Sequence, residues 1–309
     1  MVELNPKLPE GFLDEEVRDG YTVPSEIKKL WAVQLDLVHE FQRVCEKYHL
    51  RYFADAGTIL GAVRHGGYIP WDDDIDLTMF REDYIRLCEI APVEFRHPYF
   101  FQTEFTDVGS LRRHAQLRNS ETTCLTKADI ACNAKYNTGI FIDIFPLDYL
   151  PDDENERNRY IAQIRKKRRR AELASRWTVR YSPSHGWKKI PAAILHYFSM
   201  KFYDGKVTGA YIAFEDFLKE HDKVKTATVA KTFWNINDKR MYRAAWFADT
   251  VPMKFEMLTL PLPVGYEEIL DVSYGDWRTP SRSPSIHGSL VFSTEIPYRE
   301  YTAGHAEGV

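Results

Sequence analysis

The chain has 309 residues, 44% of them hydrophobic, which allows a sizeable buried core in one large or two ordinary domains. Its 41 basic and 45 acidic residues leave a formal net charge of −4, excluding a globally basic nucleic-acid coat and a highly charged disordered chain. No apolar run approaches the roughly 20 residues that span a bilayer, and the opening MVELNPKLPEGFLDEEVRDG lacks the basic cap and apolar stretch of a signal peptide.

After this polar leader (residues 1–24), Leu30, Trp31, Leu37, Val38, Phe41 and Val44 recur at three-and-four spacing. That pattern predicts a helix from 25 to about 49, roughly 37 Å long, with Ser25 as its N-cap. A short strand over 52–55 should meet Gly57-Thr58 and a helical turn ending near Arg64, broken by His65-Gly66-Gly67. Residues 75–79 alternate as a second strand and 81–90 read as a helix; further strands are expected at 99–103, 115–118 and 139–145. This order describes a mixed unit of helices and strands over residues 25–150.

From Pro151 the pattern turns helical and charged, with acidic residues at 152–156 and ten basic residues against one acid between Arg157 and Arg180. Further helices are expected at 191–203 and 211–221. Residues 251–309 are rich in Pro and aromatics with little periodicity, and should pack back on the core. The four cysteines, Cys45, Cys88, Cys124 and Cys132, form no CxxC pair and have no zinc-like spacing. With no export signal, the expectation is a reduced, cytoplasmic protein.

The chemistry concentrates in Asp72-Asp73-Asp74-Ile75-Asp76, where residues 72–83 carry six acids and one base. Such carboxylates repel unless solvated or bridged by a cation. A calcium loop would need Gly at its sixth position and Glu at its twelfth, where this sequence has Leu77 and Asp83. Asp74 and Asp76 flank Ile75 in a strand, so both face one side. Such a pair can hold Mg²⁺, which prefers oxygen ligands and keeps substrate phosphates; a solvated acidic turn is the plainer alternative. Gly57-Thr58 entering a helix can present N–H groups and a hydroxyl to a phosphate, and Arg64 adds a planar cation. Asp143, enclosed by Ile142, Ile144 and Phe145, is costly to bury unless paired or ligating a metal. Beside the other two acids it would complete a three-carboxylate site for phosphoryl transfer.

The block Gly57-Thr-Ile-Leu-Gly-Ala-Val-Arg-His-Gly-Gly-Tyr-Ile-Pro-Trp-Asp-Asp-Asp-Ile-Asp76 closely resembles the signature of the LicD family, of which fukutin-like proteins are distant relatives. Phe141-Ile-Asp-Ile-Phe-Pro-Leu-Asp148 and Tyr274-Gly-Asp-Trp277 look like further family motifs, in family order. The resemblance implies an α+β, nucleotidyltransferase-like mixed sheet with flanking helices, followed by a mainly helical second region over 151–250. It implies transfer of a phospho-alcohol group, typically phosphocholine from CDP-choline, to a glycan hydroxyl with release of CMP. By matching position, Asp74 and Asp76 would be the metal pair, Asp143 the third carboxylate and Asp72 an outer ligand. Gly57, Thr58 and Arg64 would hold donor phosphates. No cysteine-rich zinc loop like that of some eukaryotic relatives is recognisable.

Two other readings stay open: a nucleotidyltransferase acting on a sugar or small alcohol, and a catalytically silent glycan-binding protein. If the donor carries choline, an aromatic cage is expected, for which Trp71, Trp234, Trp246, Tyr274 and Trp277 are candidates and core packing the plainer role. The run Arg165–Arg170 reads first as a solvated helix face. Its functional alternative is contact with an anionic glycan, of teichoic acid, lipopolysaccharide or capsule type, or with the inner face of the membrane. No nucleic-acid partner is expected.

Overall fold

A computed structural model describes residues 1–110, 112–131, 134–174, 207–232, 236–237, 240–280 and 290–301. Cys132, Trp234 and the helix expected at 191–203 lie outside them.

The leader folds into an antiparallel hairpin of β1 (Glu16–Arg18) and β2 (Tyr21–Val23), too short for a periodic signal. Helix α1 (Ser25–Tyr48) follows, its apolar stripe fully buried. Pro24, not Ser25, takes the N-cap position, because its carbonyl already accepts from Lys28 N–H at 3.1 Å. The helix ends where His49 turns left-handed and Leu50 N–H returns to the Cys45 carbonyl.

Strand β3 (Phe53–Ala54), helix α2 (Ala56–His65), strand β4 (Asp76–Phe80) and helix α3 (Arg81–Glu94) come next. They lead to β5 (Tyr99–Gln102), β6 (Ala115–Asn119), β7 (Thr123–Leu125), the short α4 (Lys127–Ala131) and the eleven-residue β8 (Ile140–Leu150). Strand β8 is the axis of a seven-stranded mixed sheet. Along one edge it pairs in parallel with β4, which carries β3. Along the other it pairs antiparallel with β6 over its first half, and β6 carries β5.

Helices α5 (Glu154–Ala174) and α6 (Gly209–His221) pack on each other around Tyr160, Ile164, Phe214 and Leu218. The stretch expected to be helical also yields β9 (Thr228–Ala230) and β10 (Met241–Arg243), which extend the central sheet from the last residues of β8. A hairpin of β11 (Thr250–Phe255) and β12 (Leu258–Pro263) and helix α7 (Tyr266–Tyr274) lie against β3 and α2. Finally, β13 (Val291–Ser293) pairs with β7. The class is α+β. Among the described residues no helix is long and apolar enough to cross a membrane.

Candidate active site

The register of the sheet builds the site. Asp143 on β8 is opposed by Asp76 across the parallel pair and by Gln116 across the antiparallel one. These three polar residues therefore share one face, while the next row, Leu77, Ile144 and Ala115, is fully buried on the other. Carboxylate oxygens of Asp74, Asp76 and Asp143 lie within 4.8 Å of one another, and so do those of Asp72, Asp73 and Asp74. Asp74 thus belongs to both groups.

Several anchors hold this loop against its own repulsion. Trp31 Nε1 donates to the Asp72 carbonyl at 3.0 Å, and Gln34 Nε2 to the Asp73 carbonyl at 2.8 Å, both from α1. Tyr68 stacks flat on Trp31 at 4.3 Å and donates to Gln34 Oε1. The Asp76 backbone is gripped twice: its N–H donates to Thr58 Oγ1 at 2.8 Å, and its carbonyl accepts from Asp55 N–H at 3.0 Å.

Thr58, expected as a phosphate ligand, uses its hydroxyl oxygen as the acceptor for Asp76 in this way, and its N–H bonds the Asp55 carbonyl at 2.9 Å. Gly57 allows a close approach: a Cβ there would stand 2.7 Å from Asp72 Oδ2. The Asp72 carboxylate consequently sits over the first turn of α2, where the helix dipole favours negative charge.

Arg64 forms no ion pair among the described residues. Its Nη1 donates to the Trp277 carbonyl at 3.1 Å, and its Nε is buried without a hydrogen-bond partner. Burial holds the guanidinium below its usual range, offset in part by Asp19 and Tyr274.

Burial first, then mutual charge, pushes the carboxyls of Asp74 and Asp76 well above the carboxylate range. For Asp74 the main neighbours are Asp76 and Asp72, for Asp76 they are Asp143 and Asp55. A cluster that resists holding its own negative charge fits a divalent cation. All its donors are hard oxygens, as Mg²⁺ prefers.

Four further groups surround the acids. Lys231, buried after β9, ion-pairs with Asp55. Burial works against its charge, but Asp55, Tyr242 and Asp76 hold it and raise its proton affinity. Asp55 also caps α2 through Ala56 N–H at 2.9 Å. His114 Nε2 lies 2.9 Å from Asp143 Oδ1, its ring against Phe145, and Gln116 Nε2 donates to the same oxygen at 2.6 Å. The alternation His114-Ala-Gln116-Leu-Arg118 could have revealed the last two as one polar face of a strand. Lys231 has no comparable local signal.

Of the aromatic candidates, Trp71 packs edge-on to Tyr21 and Trp246 against Tyr242. Trp277 is buried, bonding Asp271 at 2.7 Å beneath the Arg278 guanidinium. Tyr274 differs. The residue is 45% exposed, and burial, then the charges of Asp76, Asp55 and Asp72, push its hydroxyl upward.

Residues 49–178 match the family model LicD/FKTN/FKRP, nucleotidyltransferase domain. The lipopolysaccharide cholinephosphotransferase LicD of Haemophilus influenzae is 28% identical over 256 residues, covering 81% of this chain and 91% of that one. An uncharacterised protein of Rickettsia prowazekii is 43% identical over 79 residues, 26% of this chain and 28% of that protein. The human ribitol 5-phosphate transferase FKRP is 50% identical over 46 residues, 15% of this chain and 9% of its own length.

Proposed function

Because the chain belongs to the LicD family, we propose that this phosphotransferase moves a phospho-alcohol group, phosphocholine from CDP-choline, to a hydroxyl of a cell-surface glycan and releases CMP. The observation that carries the reading is the convergence of carboxylate oxygens from Asp74, in the loop entering β4, and from the paired Asp76 and Asp143 within 4.8 Å of one another. These three would hold Mg²⁺, with Asp72 beside them. When bound, the ion supplies positive charge to the donor diphosphate and the departing nucleotide.

The remaining work falls to the chain. Thr58 and Asp55 fix the Asp76 backbone, and Trp31 and Gln34 fix the two residues before Asp74, so the ligand oxygens are pre-organised. Of the roles open to Asp143, general base or ligand, its place within the carboxylate ring supports ligand. Arg64, with no carboxylate partner among the described residues, is the group for a donor phosphate, and the absence of a side chain on Gly57 lets Asp72 approach the start of α2. The acceptor hydroxyl attacks the phosphorus bearing the alcohol, the bond to the nucleoside monophosphate breaks with CMP as the leaving group, and the hydroxyl proton passes to water. On α5, Arg165, Lys166, Arg169 and Arg170 are exposed, and an Arg113–Glu172 ion pair ties that helix to the segment entering β6 at His114. This supports reading the basic face of α5 as a surface for an anionic acceptor glycan rather than as a solvated helix face alone.

The test is Mg²⁺-dependent release of CMP from CDP-choline, CDP-ribitol and CDP-glycerol, run against pyrophosphate release from CTP. CMP from CDP-choline is expected. Pyrophosphate from CTP alone would move the protein to the nucleotidyltransferases, and no product from any nucleotide would leave glycan binding without catalysis.

A further inference from the structure

Asp143 lies on a central strand, and its carboxylate is aimed by a neighbour that itself needs aiming. Gln116 stands directly opposite on β6 and donates Nε2 to Asp143 Oδ1 at 2.6 Å. A glutamine amide has a donor end and an acceptor end of nearly the same shape, so it points either way unless something distinguishes them. Arg118, two residues along the same face, does so. It is fully buried and donates Nη2 to Gln116 Oε1, Nε to Gln102 Oε1 at 2.6 Å and Nη1 to the Gly139 carbonyl at 2.6 Å. A guanidinium has no acceptor; Gln116 can face it only with oxygen, which leaves the NH₂ group turned to Asp143.

The arrangement has no obvious worth to stability. Arg118 pairs with no carboxylate among the described residues. Burial, then the neighbouring charge of Arg112, pushes it down to about 10. Its compensation is three neutral oxygens and the face of Phe141 at 4.8 Å. A buried charge so held is expensive compared with an apolar side chain of similar volume. A shell that orients a ligand is a physical reason to keep it.

We propose that Arg118 and Gln116 are a positioning pair: Arg118 locks the Gln116 amide so that its NH₂ group fixes the Asp143 carboxylate toward the cation shared with Asp74 and Asp76. This rests on the metal-site reading above. Neither residue touches substrate; each acts through the next.

The test measures Mg²⁺ affinity by calorimetry on the full chain, well below the thermal midpoint, for the parent, Gln116→Met and Arg118→Lys. Loss of an oriented outer partner typically costs 10–100-fold in metal affinity. Gln116→Met is expected to weaken Mg²⁺ by about that much and Arg118→Lys by less, since it keeps the amide but loosens its lock. A purely structural pair would lower the thermal midpoint and leave Mg²⁺ affinity at the parent value in both variants; that result overturns the proposal. Should Gln116→Met fail to fold, Arg118→Lys decides alone. CDP-choline turnover by the parent reports separately on the proposed function: if it fails while Gln116→Met still weakens Mg²⁺ binding, the pair stands and the donor assignment falls. A parent with no measurable Mg²⁺ affinity overturns both.

Discussion

Asp74 and Asp76 make the folded protein hold charge it would rather shed. Their carboxyls are raised by burial and by each other, so the folded state binds these protons more tightly than the unfolded chain. By linkage, the resulting cost is present above the raised values and is relieved as pH falls through them. Asp74→Asn or Asp76→Asn removes that cost along with a proposed cation ligand. Each is expected to abolish turnover and, without Mg²⁺ at neutral pH, to raise the thermal midpoint by about 1–2 °C, the shift that about 1 kcal/mol gives in a chain of this size. Near-normal activity at ordinary Mg²⁺ would remove the residue from the ligand set; a fall in midpoint would show that burial, not repulsion, governs it.

Arg64 poses a different question at the same scale. It lies close in sequence to Asp72 and Asp73, yet its hydrogen bond goes to the Trp277 carbonyl. Lysine can keep a single hydrogen bond but not a forked contact with phosphate. Arg64→Lys is therefore expected to lower kcat/KM for the donor about tenfold, roughly 1.4 kcal/mol, with the thermal midpoint unchanged. Unaltered donor kinetics would leave Arg64 as a clamp on the C-terminal segment.

At the level of elements, a buried ion network joins the catalytic sheet to the helical region. Arg81, at the start of α3, binds Asp148 of β8 in fork geometry at 2.6 and 3.0 Å and Glu215 of α6 at 3.1 Å, while Thr232 donates to Asp148. Asp148 closes the Phe-Ile-Asp-Ile-Phe-Pro-Leu-Asp motif, so its two acids divide: Asp143 faces the site and Asp148 holds the fold. Arg81→Met would strand two buried carboxylates, and removing one member of such a network costs about 3–5 kcal/mol. Urea unfolding should show a loss of that size; a loss under about 1 kcal/mol would mean the acids are satisfied without Arg81.

The elements also show what a sequence can and cannot tell. Helix α1 was legible because 24 residues repeat one apolar stripe. Strand β8 was expected over 139–145 only, ending just before Pro146, a residue that cannot donate to a ladder. It runs on to Leu150 because Pro146 falls between the stretch paired with β6, which ends at Ile144, and that paired with β9, which begins at Asp148. The hairpins at both ends of the chain were missed: three-residue strands carry no period, and in β11 and β12 Pro252, Pro261 and Pro263 obscure one.

Across the whole molecule, the acids of the site were readable because burying a carboxylate among Ile and Phe is a chemical anomaly visible in one dimension. Their supporters were not. Lys231 reaches Asp55 from 176 residues away, and Gln116 matters only once β6 is paired with β8. Both facts belong to strand order, which no local spacing encodes. The same tertiary logic brings the late hairpin onto α2, where Glu256 accepts from Tyr68 N–H at 3.0 Å and from Arg18 at 2.7 Å, tying leader, core and C-terminal segment together.

In the proposed cation site, two strand-borne carboxylates, Asp76 and Asp143, are joined by Asp74 from the loop that enters β4. Mn²⁺ suits the oxygen ligands that Mg²⁺ uses and is visible by anomalous scattering, so a crystal of the full chain soaked in Mn²⁺ tests it most directly. An anomalous peak is expected, bonded to one oxygen each of Asp74, Asp76 and Asp143 at about the 2.0–2.1 Å characteristic of Mg²⁺ or slightly longer. A peak on Asp72 and Asp73 alone, or none at saturating Mn²⁺ with Asp143 turned from the other two, would contradict it.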